Sequence, residues 1–111
     1  MRKEEAGEIR GKVVEIAALV RYQEGAVVSR TLIDKKVGTM TVFAFDRGQG
    51  LSEHTTPYDA VIIDLEGEVE VTLGGESIHL GTGQMLIMPA KVPHALKAIT
   101  RFKMMLIMIR E

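Results

Sequence analysis

The sequence predicts a single all-β domain, a sandwich or barrel of mostly antiparallel strands. Glycines and prolines recur at short intervals, and turn signals about 8–12 residues apart are typical of such folds. The segments between the turns are rich in β-branched residues or alternate apolar with polar positions. With 111 residues, the chain is long enough to bury one core and too short to bury two.

Seven stretches are expected to form strands. They are residues 26–34, 39–46, 60–66, 68–73, 77–80, 85–89 and 94–109, the last with a break near Thr100. In the fourth stretch, alternation directs Val69, Val71 and Leu73 inward and their neighbours into water. Gly74 and Gly75 then close a hairpin onto the fifth stretch, because glycine adopts the positive φ angles that a two-residue turn requires.

Residues 1–25 are expected to form an N-terminal segment that packs on the barrel, residues 26–111, or on a dimer partner. Within this segment, residues 12–22 fit two patterns. Val13, Ile16 and Val20 lie at helical spacing, whereas adjacent apolar residues suit short extended pieces. We expect an edge strand followed by a turn, with a short helix as the alternative.

The last strand carries six consecutive apolar residues, from Met104 to Ile109. A strand without a polar face must be covered on both sides, and each fully buried side chain contributes about 1.5–3 kcal/mol. A barrel wall leaves one of its faces outside. A second subunit is the simplest cover for that face, so the sequence predicts a homodimer. The alternative is cover by the N-terminal segment.

The charges of the chain are balanced, with 14 Lys and Arg against 15 Asp and Glu. Such a surface lacks the basic field that holds nucleic acid or an anionic membrane, so we expect neither as a partner. The sequence has no cysteine, which excludes disulfides, thiolate metal ligands and thiol nucleophiles. The charged N-terminus and the shortness of every apolar run lead us to expect a cytoplasmic protein.

Two spaced patterns of residues lie between Gly48 and Ala98, about half the chain. The first consists of Gly48, His54, Thr56, Ala60 and Gly67, and the second of Gly83, Pro89, Lys91, His94 and Ala98. Their spacing resembles the two motifs of a small single-domain cupin of the RmlC-like type, G-x5-H-x-H-x3-E-x6-G and G-x5-P-x-G-x2-H-x3-N. The resemblance implies a jelly-roll β-barrel, also called a double-stranded β-helix.

In metal-binding cupins, both histidines and the glutamate of the first motif hold one divalent ion together with the histidine of the second. The resemblance leaves His54 and His94 as metal ligands here, while Thr56 and Ala60 replace the other two. Two imidazoles alone hold a metal poorly, and imidazole favours ions such as Zn, Ni and Cu. We therefore expect either no cofactor or a weakly held divalent transition metal: Zn, Ni, Cu, Fe or Mn.

Two carboxylates lie near the missing glutamate. Asp59 is expected on the face opposite to Ala60, unless a bulge re-aims it. Asp64 shares the parity of Ala60 but lies about 13 Å further along the strand. If Asp64 points inward, its pKa should rise or it should pair with a base such as Arg30. The favoured alternative is a register that turns Asp64 to solvent or to a hydrogen-bonded dimer contact.

The ligand site is expected around His54 and His94, with Thr56, Tyr58 and Met88 as further ligand contacts. The histidines would recognise the polar group of an unknown small molecule or act as a general base. Alternatively, they bond to each other, to Thr56 or to water and have no task. The sequence predicts a small-molecule-binding cupin, metal-free or weakly metallated. Two alternatives are a metal-dependent isomerase, decarboxylase or dioxygenase, and a dimeric interaction module without an open cavity.

Overall fold

The computed structural model describes residues 2–4 and 8–110. The elements of this part of the chain are β1 (Arg2–Glu4), a 3-10 helix (Ile16–Leu19), β2 (Val27–Lys35), β3 (Gly38–Phe45), β4 (Gly50–His54), β5 (Asp59–Glu66), β6 (Val69–Leu73), β7 (Glu76–Leu80), β8 (Met85–Met88), β9 (His94–Ala98) and β10 (Phe102–Ile109). The fold is all-β, and each of the seven stretches expected to form strands contains a strand. Strands β1 and β4 are additional. None of the described helical residues forms a helix long and apolar enough to cross a bilayer.

The strands form two sheets that face each other as a jelly-roll barrel. One sheet has six strands in the order β1-β2-β3-β10-β5-β8, and the other has four in the order β4-β9-β6-β7. The pairs are antiparallel, except that β1 runs parallel to β2. The expected break near Thr100 separates β9 from β10. This topology places β4 beside β9, which decides the position of the candidate site.

The main core lies between the two sheets. Its largest fully buried side chains include Phe45, Ile62, Met88, Phe102 and Met104. The predicted alternation in β6 is confirmed, because Val69 and Val71 are buried in this core while the residue between them is exposed. Every apolar side chain removed from water in this way contributes about 1.5–3 kcal/mol.

A second apolar cluster covers part of the outer face of the six-stranded sheet. Leu19 and Val20 pack there with Val28, Val42 and Met105. The N-terminal segment therefore covers this part of β10 within a single chain. We expected an edge strand over residues 12–22, but the structure has a 3-10 helix there. Since β1 already occupies the edge beside β2, residues 16–20 pack on the face of the sheet and do not form a further edge strand.

Tyr22 fastens the N-terminal segment to the sheet. Its hydroxyl donates to Oε2 of Glu66 at 2.5 Å, and the Arg101 guanidinium and the Lys103 ammonium lie 5.2 and 4.9 Å from the centre of its ring. Lys103 in turn donates from Nζ to the carbonyl of Ala17. Burial, followed by the bond to the Glu66 carboxylate, raises the pKa of Tyr22.

Three glycines occupy positions that other residues fill poorly. Gly74 and Gly75 join β6 to β7 with φ angles of 57° and 85°, which confirms the predicted two-residue hairpin. Gly67 has a φ of +83°, and a Cβ there would lie 1.9 Å from the carbonyl oxygen of Arg101. The close approach of two backbones explains why this turn needs glycine.

Candidate ligand site at the histidine pair

A β-bulge places His54 opposite His94. In the pairing of β4 with β9, Leu51 lies opposite Leu96 and His54 lies opposite His94. Three residue steps on β4 therefore match two on β9, so β4 carries one extra residue. Residues that face each other across a pair share a face of the sheet, and Leu96 belongs to the core. The bulge thus directs both histidines to the core side of the sheet.

The two imidazole rings are in contact. Their centroids lie 4.3 Å apart with an interplanar angle of 66°, an edge-to-face arrangement. His94 is only 3% exposed, whereas His54 is exposed. The pair therefore lies where the interior of the barrel meets solvent. The third histidine, His79, is exposed on β7, and its Nε2 lies 3.0 Å from Oε1 of Glu68.

Each ring is held by a backbone carbonyl two residues earlier in the chain. Nδ1 of His54 lies 2.8 Å from the oxygen of Ser52, and Nδ1 of His94 lies 3.1 Å from the oxygen of Val92. A carbonyl only accepts, so both Nδ1 atoms carry the proton. In the neutral rings, Nε2 then carries a lone pair that can accept a hydrogen bond. No residue in the described part of the chain forms a hydrogen bond to Nε2 of either ring.

The residues around the pair do not complete a metal centre. Within residues 8–110, no three histidine or carboxylate side chains lie close enough to share an ion. The hydroxyl of Thr56 donates to the carbonyl of Tyr58 at 2.8 Å, and the Ala60 methyl offers no donor atom. Asp59 is not re-aimed toward the pair, because its Oδ1 accepts from the amide of Ala90. A resident metal would need at least one more protein ligand.

The three other residues expected to contact a ligand, Met88, Thr56 and Tyr58, each have a different environment. Met88 is 1% exposed within the main core. Thr56 is engaged in its own turn, as described above. Tyr58 is half-buried, lines a groove with Ile87 and Ile109, and lies with its ring 5.9 Å from the guanidinium of Arg110. Ligand contacts by these three residues stay predictions.

Asp64 lies four residues beyond Ala60 on β5 and is 1% exposed. Its strand partner is Met104 of the core, and neither carboxylate oxygen has a hydrogen-bond partner among the described residues. Burial raises the pKa of Asp64 to about 6. The favoured expectation that Asp64 faces solvent or a dimer contact is therefore wrong. Arg30 does not pair with it, because its Nη1 donates to the carbonyl of Leu19.

A cavity of about 570 Å³ adjoins the strand that carries His54. It lies between residues 24–27, before and at the start of β2, and residues 49–52, before and at the start of β4. Val27 and Leu51 connect it to the core, and Ser52, whose carbonyl holds His54, lines it. Glu24 and Gln49 supply polar groups. No local pattern predicts this cavity, because it is formed by two segments that are distant along the chain.

Lys91 adopts a backbone conformation that normally belongs to glycine. Its φ is +68°, and its amide donates to the carbonyl of Thr56 at 2.7 Å. This hydrogen bond ties the loop before His94 to the loop after His54. The cupin motif has glycine at this position, so the substitution by lysine in the sequence was a signal for backbone strain.

Comparison with known proteins agrees with this architecture. The family described as "Cupin domain" matches residues 41–110. A conserved protein of unknown function from Streptococcus pyogenes is 34% identical, with a TM-score of 0.88 over 92% of this chain and 90% of that one. A cupin superfamily protein from Desulfitobacterium hafniense is 27% identical, with a TM-score of 0.87 over 92% of this chain and 94% of its own.

A third solved structure, a cupin 2 conserved barrel domain protein from Leptotrichia buccalis, is 36% identical with a TM-score of 0.81. It is matched over 84% of this chain and 45% of its own length. A search of curated proteins returns no match. The fold and the histidine pair define a small RmlC-like barrel, and the family match makes the assignment specific. The chain belongs to the cupin family.

Proposed function

We propose that this cupin binds a small molecule at the rim of its barrel through His54 and His94, without a resident metal. One observation carries the proposal: two touching imidazoles whose Nε2 atoms have no partner among the described residues. His94 is almost fully buried. Because the described residues do not engage Nε2 of either ring, both nitrogens stay available to a ligand.

The surroundings of the pair support a small and partly apolar ligand. Leu51 and Leu96 lie one pair further along β4 and β9 and pack in or against the core. The cavity of about 570 Å³ is lined by Leu51 and Ser52 of the same strand and not by the histidines themselves, and its volume falls in the range of about 300–1,000 Å³ that is usual for small-molecule sites. A few polar groups at the edge of an apolar region are what such sites use to orient a ligand.

The site is tested by screening fragment-sized compounds against the protein, with the imidazole resonances of ¹⁵N-histidine-labelled protein as the readout. Compounds that bind should shift His54 and His94 together and leave His79 unchanged. His94→Ala should abolish the binding, because it removes the buried member of the pair. His79→Ala is the matched control and should bind as the wild type does. Binding that survives His94→Ala and His54→Ala would contradict the proposal.

We also propose that a second copy of the chain covers the remaining outer face of the six-stranded sheet. The N-terminal segment covers only part of it. Two apolar grooves meet there at Ile109, and the exposed large residues around them are Ile33, Val37, Ile87 and Ile109. The face is continuous with β8, an edge strand whose sequence Met85–Met88 has no charge.

The second copy is favoured over another partner because a two-fold axis brings the same apolar face of both chains together. Such an isologous contact closes the assembly as a dimer. Natural edge strands that stay unpaired usually carry lysine, proline or a bulge. Within β8, the outward side chains are Met85 and Ile87, exposed by 54% and 55%.

A further inference from the structure

The two Nδ1–H bonds determine which kind of ligand can join the histidine pair. Both Nδ1 protons are committed to the carbonyls of Ser52 and Val92. Both neutral rings therefore present Nε2 as an acceptor. Two acceptors cannot hydrogen-bond to each other. A group that binds between or against them must supply the hydrogen.

We infer that the pair of His54 and His94 selects ligands that present a hydrogen-bond donor, such as a hydroxyl or an amide N–H, and rejects carboxylates while both rings are neutral. The inference rests on the proposed function and specifies the ligand class of the same site. A carboxylate would bring its lone pairs against those of Nε2, and it would leave its own hydration behind. A ligand with a hydroxyl or an N–H group avoids this repulsion, because its hydrogen bonds directly to the lone pair of Nε2.

The replacements in the first cupin motif strengthen this selectivity. Thr56 uses its hydroxyl within its own turn, and Ala60 has no polar group. Neither position supplies a donor or a positive charge that could hold an anion beside the rings. At the pair, the ligand therefore meets two hydrogen-bond acceptors, Nε2 of His54 and Nε2 of His94.

The test uses three probes that share one aromatic ring: phenol, anisole and benzoate. Phenol has a hydroxyl donor, anisole carries the same oxygen capped by a methyl group, and benzoate is an anion. The measurement is made at pH 8, where free imidazole is neutral. Long-range ¹H–¹⁵N spectra of ¹⁵N-histidine-labelled full chain first report the tautomer of each ring. The same spectra then follow each titration.

We expect ligand-free His54 and His94 both to carry the proton on Nδ1. Phenol should move Nε2 of the pair and saturate, while anisole and benzoate bind at least about tenfold more weakly, the equivalent of one hydrogen bond. His94→Gln should narrow the difference, because its terminal amide can donate as well as accept. His79→Ala should leave the order of the probes unchanged.

Each contrary result has a separate meaning. An Nε2–H tautomer in either ring would overturn the inference and leave the proposed site intact. Anisole or benzoate binding as tightly as phenol would also overturn the donor requirement, while confirming that the pair binds small molecules. If phenol moves neither ring, the inference fails, and the fragment screen then decides the proposed function on its own.

Discussion

Leu51 and His54 lie on the same face of β4 although three residue steps separate them. Strict alternation would direct them to opposite faces. The extra residue in this strand brings the His54 imidazole into contact with His94, at a centroid distance of 4.3 Å. The site therefore depends on a local irregularity of the backbone, since bulges often re-aim a side chain beside a functional site.

Asp64 should make the protein more stable in mild acid than at neutral pH. Its folded pKa of about 6 lies above the ordinary value of 3.8, so the folded state holds the proton more tightly than the unfolded chain. This contribution is fully present below about pH 4 and is lost as the pH rises to about 6. The shift corresponds to about 3 kcal/mol. Asp64→Asn should remove this dependence and stabilise the protein at pH 7.

The measurement is urea unfolding of both proteins between pH 4 and pH 8. The difference between the wild type and Asp64→Asn isolates this carboxyl from others such as Asp46, whose lowered pKa acts in the opposite direction. Glu70→Gln is the matched control, because Glu70 is exposed on β6. A difference between wild type and Asp64→Asn that does not change with pH would refute the assignment.

Lys91→Gly should stabilise the protein. Glycine adopts a positive φ without the steric cost that a Cβ brings, although it also gains freedom in the unfolded chain. The net effect should be about 0.5–1 kcal/mol, seen as a rise in Tm of a few degrees. Lys97→Gly is the control, since Lys97 is an exposed residue in the regular strand β9. That substitution should lower Tm. A lower Tm for Lys91→Gly would contradict the predicted strain.

Protein purified without an affinity tag should contain far less than one transition-metal ion per chain. Two imidazoles lack the third protein ligand that catalytic zinc sites have. Elemental analysis is the measurement. The double variant Thr56→His with Ala60→Glu restores the four-ligand pattern of metal-binding cupins, so it should retain about one ion. Near-stoichiometric metal in the wild type that disappears in His94→Ala would show that the pair holds a metal after all.

Much of the fold could be predicted from local pattern, and the details of the site could not. The alternation of Val69 and Val71 and the paired glycines after β6 report their structure directly, because strand faces and positive φ angles follow from residue type. The bulge before His54 leaves no comparable mark. A second register shift, in β5, leaves no mark in the sequence either. The adjacent residues Lys103 and Met104 pair with Glu66 and Asp64, which are two positions apart.

From the sequence, only the spacing of the cupin motifs predicted that His54 and His94 lie close together. The carbonyls that hold the two rings carry no sequence signal, since every residue has one. The burial of Asp64 was misjudged because a charged residue in a core is normally excluded by its desolvation cost. Its raised pKa reduces that cost by favouring the neutral form.

Ile87→Lys should convert the predicted homodimer into a monomer. The side chain of Ile87 is 55% exposed on β8, and a lysine there would place two ammonium groups against an apolar partner face. Light scattering at micromolar concentration measures the mass directly. Ser77→Lys is the matched control, because Ser77 is exposed on β7, the edge strand of the other sheet, and it should leave the dimer intact. Circular dichroism would check that both variants keep their strands. A wild-type protein that scatters as a monomer would remove the second copy from the proposal, and the apolar strip around Ile109 would then lie open to solvent.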